Sequence, residues 1–238
     1  MKKLTVLIPC YNEELLVGEV IDYIPIDLFK KLDIKVEIIV IDNNSTDKTA
    51  EIAKSKGARV IFEKKRGKGN ALKTGFKNIS KDTDYVVMLD GDSTYKSKEM
   101  LRMIEPLYSD FCDVVIGSRL SGKMKSGSMT YFNRIGNWFF TFLVRYFYQG
   151  NVTDVCTGYF AWKREVVENL VKYLDSGGFS IEMEMVTKMV KLKYSIFSVP
   201  VTYRHRNGTK SRLRPIKDGL GILSVFFKNL NWKPEDNL

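Results

Sequence analysis

The chain has 238 residues, of which 44% are hydrophobic and 28% charged, a composition typical of a globular protein and unlike that of a disordered one. Its three cysteines are odd in number and far apart, which argues against a disulfide scaffold or a zinc site and indicates a reducing, intracellular location. The net charge of +10 is concentrated in residues 190–238, which contain ten Lys or Arg and three Asp or Glu, so we expect an anionic partner.

The first half of the sequence alternates strand and helix patterns. These predict strands at 4–9, 36–42, 59–62, 84–89 and 113–117, and helices at 14–24, 46–56, 68–79 and 97–109. Pro25 is expected to end the first helix, and Pro106 to bend or shorten the fourth. Repeated strand–helix units predict an α/β fold, with a mostly parallel sheet and helices on both faces.

The second half is less regular. Residues 117–127 are rich in Gly, Ser and basic residues and predict a mobile loop, and 129–148 form an aromatic segment with few charges. A strand is predicted at 157–162, helices at 163–174 and 180–192, and an edge strand at 195–203, because it contains Pro200. An amphipathic helix is predicted at about 215–230. No stretch is long and apolar enough to predict a membrane span, and no signal peptide is expected.

Polar and acidic residues follow three of the predicted strands: Pro9-Cys-Tyr-Asn-Glu13, Asp42, and Asp90-Gly91-Asp92. In open α/β sheets this edge is where ligands bind. Two acids one residue apart can hold a hard divalent cation through oxygen, and a simple turn is the alternative. Asp42 is placed to contact a ribose or a base edge, or else to cap the helix that follows.

A basic, glycine-containing segment, Lys65-Arg-Gly-Lys-Gly69, precedes the third predicted helix. We expect Gly67 and Gly69 to let the backbone approach a ligand, with Arg66 and Lys68 adding positive charge beside the helix amino terminus. This arrangement suits a phosphate group, although a solvated basic loop is the alternative. The segment matches neither the Walker A motif nor the dinucleotide fingerprint.

The order of these motifs resembles that of family 2 glycosyltransferases of the GT-A fold, within them the dolichyl- or polyprenyl-phosphate sugar synthases. The resemblance runs from about residue 3 to 228. It is carried by Pro9–Glu13, Asp42 with Ser45-Thr46-Asp47, Arg66–Gly69, Asp90-x-Asp92, Gly117-Ser-Arg119, Thr153-Asp154, Thr157-Gly158-Tyr159, Glu182-Met-Glu184 and Gly208–Leu213.

The resemblance implies a donor site for a nucleotide sugar. Tyr11, Asn12 and Glu13 would frame the base and ribose, and Asp90 and Asp92 would bind Mg²⁺ or Mn²⁺ bridging the donor diphosphate. The whole implied set is Pro9, Tyr11, Asn12, Glu13, Asp42, Lys68, Gly69, Asp90, Gly91 and Asp92. Thr94 stands where some mannose synthases have Gln, which leaves a third metal ligand open. The Arg-Gly-Lys-Gly form favours a UDP-sugar, such as UDP-glucose or UDP-GlcNAc, over GDP-mannose.

The resemblance also implies a polyprenyl or dolichyl phosphate acceptor. Its phosphate is largely dianionic near pH 7 and needs cations more than a strong base. The candidates for holding it are Arg119, Arg134, Arg206, Lys210 and Arg212. We expect Asp92, Asp154 and Arg119 to be catalytic, with Asp154 either orienting the acceptor or acting as base. Glu182 would either form ion pairs with these cations or have a purely structural role on its helix.

Residues 129–148 and the last helix combine aromatic residues with cations, which predicts peripheral contact with the cytoplasmic side of a membrane; burial in a core or oligomer interface is the alternative. We expect one domain, with a nucleotide-sugar half (1–117), an acceptor half (118–213) and an amphipathic tail (214–238). The competing functions are transfer to a glycan or soluble acceptor, a catalytically inactive partner subunit, and nucleic-acid binding by the basic segment. Acids at three strand ends would serve no purpose in nucleic-acid binding, so no nucleic acid is expected; homo-oligomerisation is left open.

Overall fold

The computed structural model describes residues 1–208 and 212–234. Within them, seven strands form one sheet in the order β3-β2-β1-β4-β6-β5-β7. The strands are β1 (Lys2–Cys10), β2 (Ile34–Asp42), β3 (Arg59–Phe62), β4 (Tyr85–Leu89), β5 (Val114–Met124), β6 (Tyr159–Lys163) and β7 (Ile196–Tyr203). Only β6 runs antiparallel to its neighbours, β4 and β5. The predicted mostly parallel sheet is therefore confirmed.

The described residues form nine α-helices and two 3₁₀ segments, Ser97–Glu99 and Val171–Tyr173. The helices are α1 (Val17–Asp22), α2 (Ile26–Lys31), α3 (Thr49–Ser55), α4 (Lys68–Lys77), α5 (Met100–Tyr108), α6 (Tyr131–Tyr148), α7 (Arg164–Leu170), α8 (Ile181–Lys191) and α9 (Pro215–Leu230). The sequence missed α2, because Pro25 was expected only to end a helix, whereas it also precedes the first turn of the next one.

The sheet separates two hydrophobic cores. Alternate residues of β1 point to opposite faces, so Leu4, Val6 and Ile8 pack in one core while Leu7 packs in the other. Helices α1, α2 and α5 cover the first face, and α4, α7 and α8 contribute to the second. Because both faces are covered, β1 and β4 are apolar almost throughout rather than alternating.

The prediction of a mobile loop at residues 117–127 was wrong. Strand β5 continues to Met124 and pairs with β7 beyond an irregularity between Ser118 and Lys123. A Cβ atom on Gly122 would lie only 2.7 Å from the backbone nitrogen of Val201. The glycine there therefore allows two strands to approach closely, and does not mark a flexible turn.

The last helix is docked onto the body of the protein. Phe226 is fully buried, and its backbone oxygen accepts a 2.6 Å hydrogen bond from the hydroxyl of Tyr148 on α6. Other side chains of α6 and α9 stay exposed: Tyr131, Phe132, Ile135, Trp138, Phe139, Phe142, Tyr146, Phe147, Ile216, Leu220 and Phe227. None of the helices among the described residues has the length and apolarity required to cross a bilayer.

Candidate active site

The carboxyl ends of β1, β2 and β4 meet at one edge of the sheet. Cys10 is in register with Asp42, and the β1–β4 pairing brings the residues after Leu89 beside those after Cys10. A cavity of about 1070 Å³ opens at this edge and extends between α6 and α9. The edge predicted from the sequence is therefore the mouth of this cavity.

The cavity brings together most of the residues predicted to form the site. Those that line it are Pro9, Tyr11, Glu13, Lys68, Asp90, Gly91, Asp92, Arg119, Arg206 and Arg212. The predicted residues outside its described lining are Asn12, Asp42, Gly69, Arg134 and Asp154. Arg134 is exposed on α6, and Asp42 is buried with its carboxylate accepting a 3.2 Å hydrogen bond from the Ser45 amide. Lys210 lies outside the described residues.

Asp90 is paired with a partly buried lysine. The ammonium group of Lys68 lies 2.6 Å from an oxygen of Asp90 and 2.6 Å from one of Glu182 on α8. Burial alone would lower the pKa of Lys68, but the two carboxylates outweigh it and raise that pKa. Burial raises the pKa of Asp90 to about 6, although Lys68 opposes the shift. Glu182 thus pairs with Lys68, a cation that was not among those expected to hold the acceptor.

Asp92 is oriented by the residue two positions further on. One of its oxygens accepts hydrogen bonds from the amide of Thr94, at 3.1 Å, and from the Thr94 hydroxyl, at 2.6 Å. Its other oxygen faces the Arg206 guanidinium at 3.5 Å. No group of three or more His, Cys, Asp or Glu side chains in the described part of the chain is arranged to hold a metal ion.

Arginines from two parts of the chain, the residues after β7 and the glycine-containing segment, approach the acidic edge of the sheet. Arg206 pairs with Glu13, whose carboxyl pKa is raised to about 7 by burial despite that pairing. Arg212 and Arg66 lie over the ring of Tyr11, with guanidinium carbons 4.1 and 4.7 Å from its centroid. Such cation–π contacts contribute about 0.5–1 kcal/mol at exposed sites. The segment after β7 and the glycine-containing segment thus meet on one tyrosine.

Arg119 and Asp154 form a buried ion pair. The guanidinium donates to both carboxylate oxygens, at 2.7 and 2.8 Å, and the Arg119 amide adds a third bond of 2.9 Å. Asp154 is fully buried, while Arg119 reaches the cavity and lies against the Tyr203 ring. Burial would lower the pKa of Arg119, but Asp154 raises it further above its usual range. This geometry favours an orienting role for Asp154 over that of a base.

Gly67 and Gly69 of the glycine-containing segment are required because other backbone atoms of the protein pack closely against them. A Cβ atom on Gly69 would lie 2.9 Å from backbone carbons of Ser176 and Gly177, and Gly67 has a φ of 123°, which favours glycine. The fold itself therefore requires both glycines, and the expectation that they also let a ligand approach the backbone stays a prediction. What approaches them is the loop before α8, which Glu184 holds through the amides of Asp175 and Ser176.

Sequence reasoning missed several residues around the cavity. Tyr95 is buried, and its hydroxyl accepts a 2.7 Å hydrogen bond from the Gly158 amide directly beside Asp90. Asn43 and Tyr203 line the cavity. The sequence contained little to single them out, because a tyrosine near a strand is usually core and an asparagine after a strand usually belongs to a turn.

One wall of the cavity is apolar. It is built by α6, α9 and the residues just before α9, and its larger side chains are Phe132, Phe139, Phe140, Leu213, Ile216, Leu220, Ile222 and Leu223. Trp138, Phe142 and Tyr146 continue this surface outside the cavity as a stack of exposed rings. Charged groups at the sheet edge and an apolar groove between helices therefore share one cavity.

Comparison with known proteins identifies the family. Residues 5–171 match the model of glycosyl transferase family 2. The chain is 35% identical over 219 residues to glycosyltransferase AglJ of Haloferax volcanii, covering 92% of this chain and 68% of that protein. It is 32% identical over 219 residues to the dolichyl-phosphate hexose transferase of the same organism, covering 92% of this chain and 90% of that protein.

The fold is shared with a solved glycosyltransferase. Glucosyl-3-phosphoglycerate synthase from Mycobacterium tuberculosis, in complex with Mn²⁺, UDP and glucosyl-3-phosphoglycerate, superposes with a TM-score of 0.72 at 22% identity. The match covers 100% of this chain and 82% of that one. At this identity the likeness concerns the fold. The family match and the sheet topology together show that the chain belongs to glycosyl transferase family 2 and has the GT-A fold.

Proposed function

We propose that the chain transfers a sugar, with inversion, from a nucleotide sugar to a polyprenyl or dolichyl phosphate at a membrane surface. The observation that carries the proposal is the single cavity in which an acidic strand-end pair, five arginines and an apolar groove meet. The pair suits a metal-bound diphosphate, the arginines suit a phosphate, and the groove suits a prenyl chain. The relationship to a dolichyl-phosphate hexose transferase supports the same acceptor.

Asp90 and Asp92 would hold Mg²⁺ or Mn²⁺, because paired carboxylates are the oxygen ligands these hard cations prefer. When bound, the metal would supply Lewis-acid stabilisation of the diphosphate leaving group. Lys68 holds the Asp90 carboxylate in place and Thr94 holds that of Asp92. Tyr11, Glu13 and Arg66 lie where the nucleoside would enter.

Arg119, Arg206 and Arg212 are the acceptor-phosphate ligands that we favour, because each reaches the cavity. A phosphate oxygen of the acceptor attacks the anomeric carbon, a new carbon–oxygen bond forms there, and the nucleoside diphosphate leaves with the electrons of the old bond. The phosphate is already ionised near neutral pH, so no proton has to be removed. Asp154 contributes by fixing the Arg119 guanidinium.

The division into a nucleotide half (1–117), an acceptor half (118–213) and an amphipathic tail (214–238) is part of the proposal. So is contact of the exposed α6 and α9 side chains with a membrane. A UDP-sugar is the favoured donor, and the cytoplasmic side of the membrane stays a prediction.

The test is incubation with UDP-glucose, UDP-GlcNAc or GDP-mannose, Mn²⁺ and a short-chain prenyl phosphate. We expect one donor to give a lipid-linked sugar, and no product with the matching prenyl alcohol, since it lacks the phosphate. A soluble acceptor such as 3-phosphoglycerate is offered in parallel. Glycosylation of the soluble acceptor together with no lipid product from any donor would refute the proposed acceptor.

Membrane contact is tested separately by sedimentation with vesicles containing anionic lipid. Trp138→Glu and Phe142→Glu change two exposed, stacked rings outside the cavity. We expect these variants to stay in the supernatant while the unmodified protein sediments, because burying a charge in the interface is costly. Tyr108→Glu is the control, because it makes the same change of charge at an exposed aromatic residue of α5, which packs on the other face of the sheet. Equal sedimentation of all the proteins would refute membrane contact by α6.

A further inference from the structure

The side chain of Asn43, just after β2, joins this strand to residues 63–69, which include the glycine-containing segment Lys65–Gly69. The Asn43 amide group donates hydrogen bonds to the backbone oxygens of Glu63, at 3.2 Å, and Lys65, at 2.8 Å. Its side-chain oxygen accepts a 2.7 Å bond from the amide of Gly67. Asn43 is only 5% exposed, so these bonds form away from competing water.

The same residue is tied to the neighbouring strand. The backbone amide of Asn43 donates a 2.8 Å bond to the oxygen of Cys10, directly before Tyr11. Asn43 thus connects the ends of β1 and β2 to the segment that carries Arg66 and Lys68. Arg66 lies over the Tyr11 ring, and Lys68 reaches Asp90. A shift of this segment would therefore displace both Arg66 from the Tyr11 ring and Lys68 from Asp90.

We propose that Asn43 is the positioning residue of the donor site, which sets Arg66 and Lys68 at the places where a nucleoside diphosphate is bound. The inference rests on the proposed function, because it assigns the donor to this cavity. Only an amide supplies two donors and an acceptor in this arrangement. An aspartate of the same shape would face two carbonyl oxygens with a carboxylate oxygen, and an alanine would leave all three backbone groups without this partner.

The far side of the segment is already supported by other residues. The amide of Asn70 donates to the oxygen of Gly177, and its side chain donates to the oxygen of Arg66, at 3.2 and 3.0 Å. Loss of Asn43 should therefore loosen one side of the segment and leave the rest of the fold intact. A selective effect on nucleotide binding is expected, rather than unfolding.

The experiment compares Asn43→Asp and Asn43→Ala with Asn44→Asp. Asn44 is outside the described cavity lining, and within the described part of the chain its side chain makes one long hydrogen bond, 3.4 Å, to the backbone oxygen of Lys64. Its substitution by Asp adds the same charge one residue away. Binding of Mn²⁺–UDP and Mn²⁺–GDP is measured by calorimetry. We expect both Asn43 variants to weaken binding of the preferred nucleotide by about 10–100-fold, as for other residues that orient a binding group, and Asn44→Asp by less than about twofold.

Hydrogen exchange of the Gly67 amide without any ligand gives a second readout. We expect exchange to become roughly fivefold to tenfold faster in Asn43→Ala, which loses the acceptor of the Gly67 amide, and to stay unchanged in Asn44→Asp. Asn43→Asp keeps an oxygen that accepts from this amide, so it is judged by nucleotide binding. Unchanged exchange, or nucleotide binding like that of the unmodified protein, would overturn the positioning role. Equal damage from Asn44→Asp would also overturn it, because charge alone would then suffice. If the unmodified protein binds neither nucleotide, the donor site and its positioning residue are both refuted.

Discussion

The substitution Gly158→Ala should damage the site at Asp90 while leaving the fold in place. A Cβ atom at position 158 would lie 2.8 Å from one oxygen of Asp90, and closer still to the other oxygen and to Cγ. Non-bonded heavy atoms are at their optimum at about 3.5–4.0 Å, so the carboxylate must retreat by at least roughly 0.7 Å. A metal site tolerates errors of only about 0.2 Å in its ligand distances.

The Asp90 side chain can rotate away, so the clash is relieved without moving the sheet. We therefore expect unfolding to become easier by only about 1–3 kcal/mol, the usual cost of overpacking. Sugar transfer should fall by about 100-fold or more, as for a displacement of about 1 Å at a reacting centre. The rate of transfer and the affinity for Mn²⁺ are measured side by side, together with the free energy of unfolding.

Gly221→Ala is the matched control. A Cβ atom there meets no heavy atom within 4 Å, and Gly221 lies in α9 outside the described cavity lining. This variant should keep full activity and gain stability, because alanine favours a helix over glycine by about 1 kcal/mol. Transfer by Gly158→Ala within threefold of the unmodified rate would refute the reasoning, since Asp90 would then tolerate the displacement.

Three further predictions concern the same edge of the sheet. Asp154→Asn should lower the free energy of unfolding by about 3–5 kcal/mol in urea, because it leaves the Arg119 guanidinium buried without its counter-ion. Thr94→Val should weaken Mn²⁺ binding by about tenfold in calorimetry, because Asp92 loses the hydroxyl that orients it. As the pH is lowered below the Asp90 pKa of about 6, the affinity for Mn²⁺ should decrease about tenfold per pH unit, because the cation binds only the ionised carboxylate.

Each of these predictions has its own control. Asp110→Asn removes an exposed partner of Lys163 and should cost no more than about 1 kcal/mol; an equally small cost for Asp154→Asn would contradict the first. Thr94→Ser keeps the hydroxyl and should restore Mn²⁺ binding, so equal affinities of the Val and Ser variants would contradict the second. For the third, the affinity should level off above pH 7. A constant affinity down to pH 5 would show that the raised Asp90 pKa does not govern binding.

The sequence by itself determined the layout of the first half and the edge at which the site lies. The strand at residues 59–62 was predicted with its observed bounds, and Asp42 and Asp90 were placed at the ends of β2 and β4, the two strands that flank β1. These features are local, because a short apolar run followed by polar residues fixes both a buried strand and its end. The last helix, Pro215–Leu230, was likewise predicted at about 215–230 from its apolar residues, and the structure shows that a proline stands at its start.

Only the tertiary structure decided which side chains share a contact. Three contacts show this: Asp154 pairs with Arg119, Lys68 joins Asp90 to Glu182, and Gly158 lies against Asp90. They join residues 22 to 114 positions apart in the sequence. Composition misled at residues 117–127, where small residues permit strand pairing instead of a loop. Side-chain pairing across such separations follows from how the strands are ordered in the sheet, which local propensity does not encode.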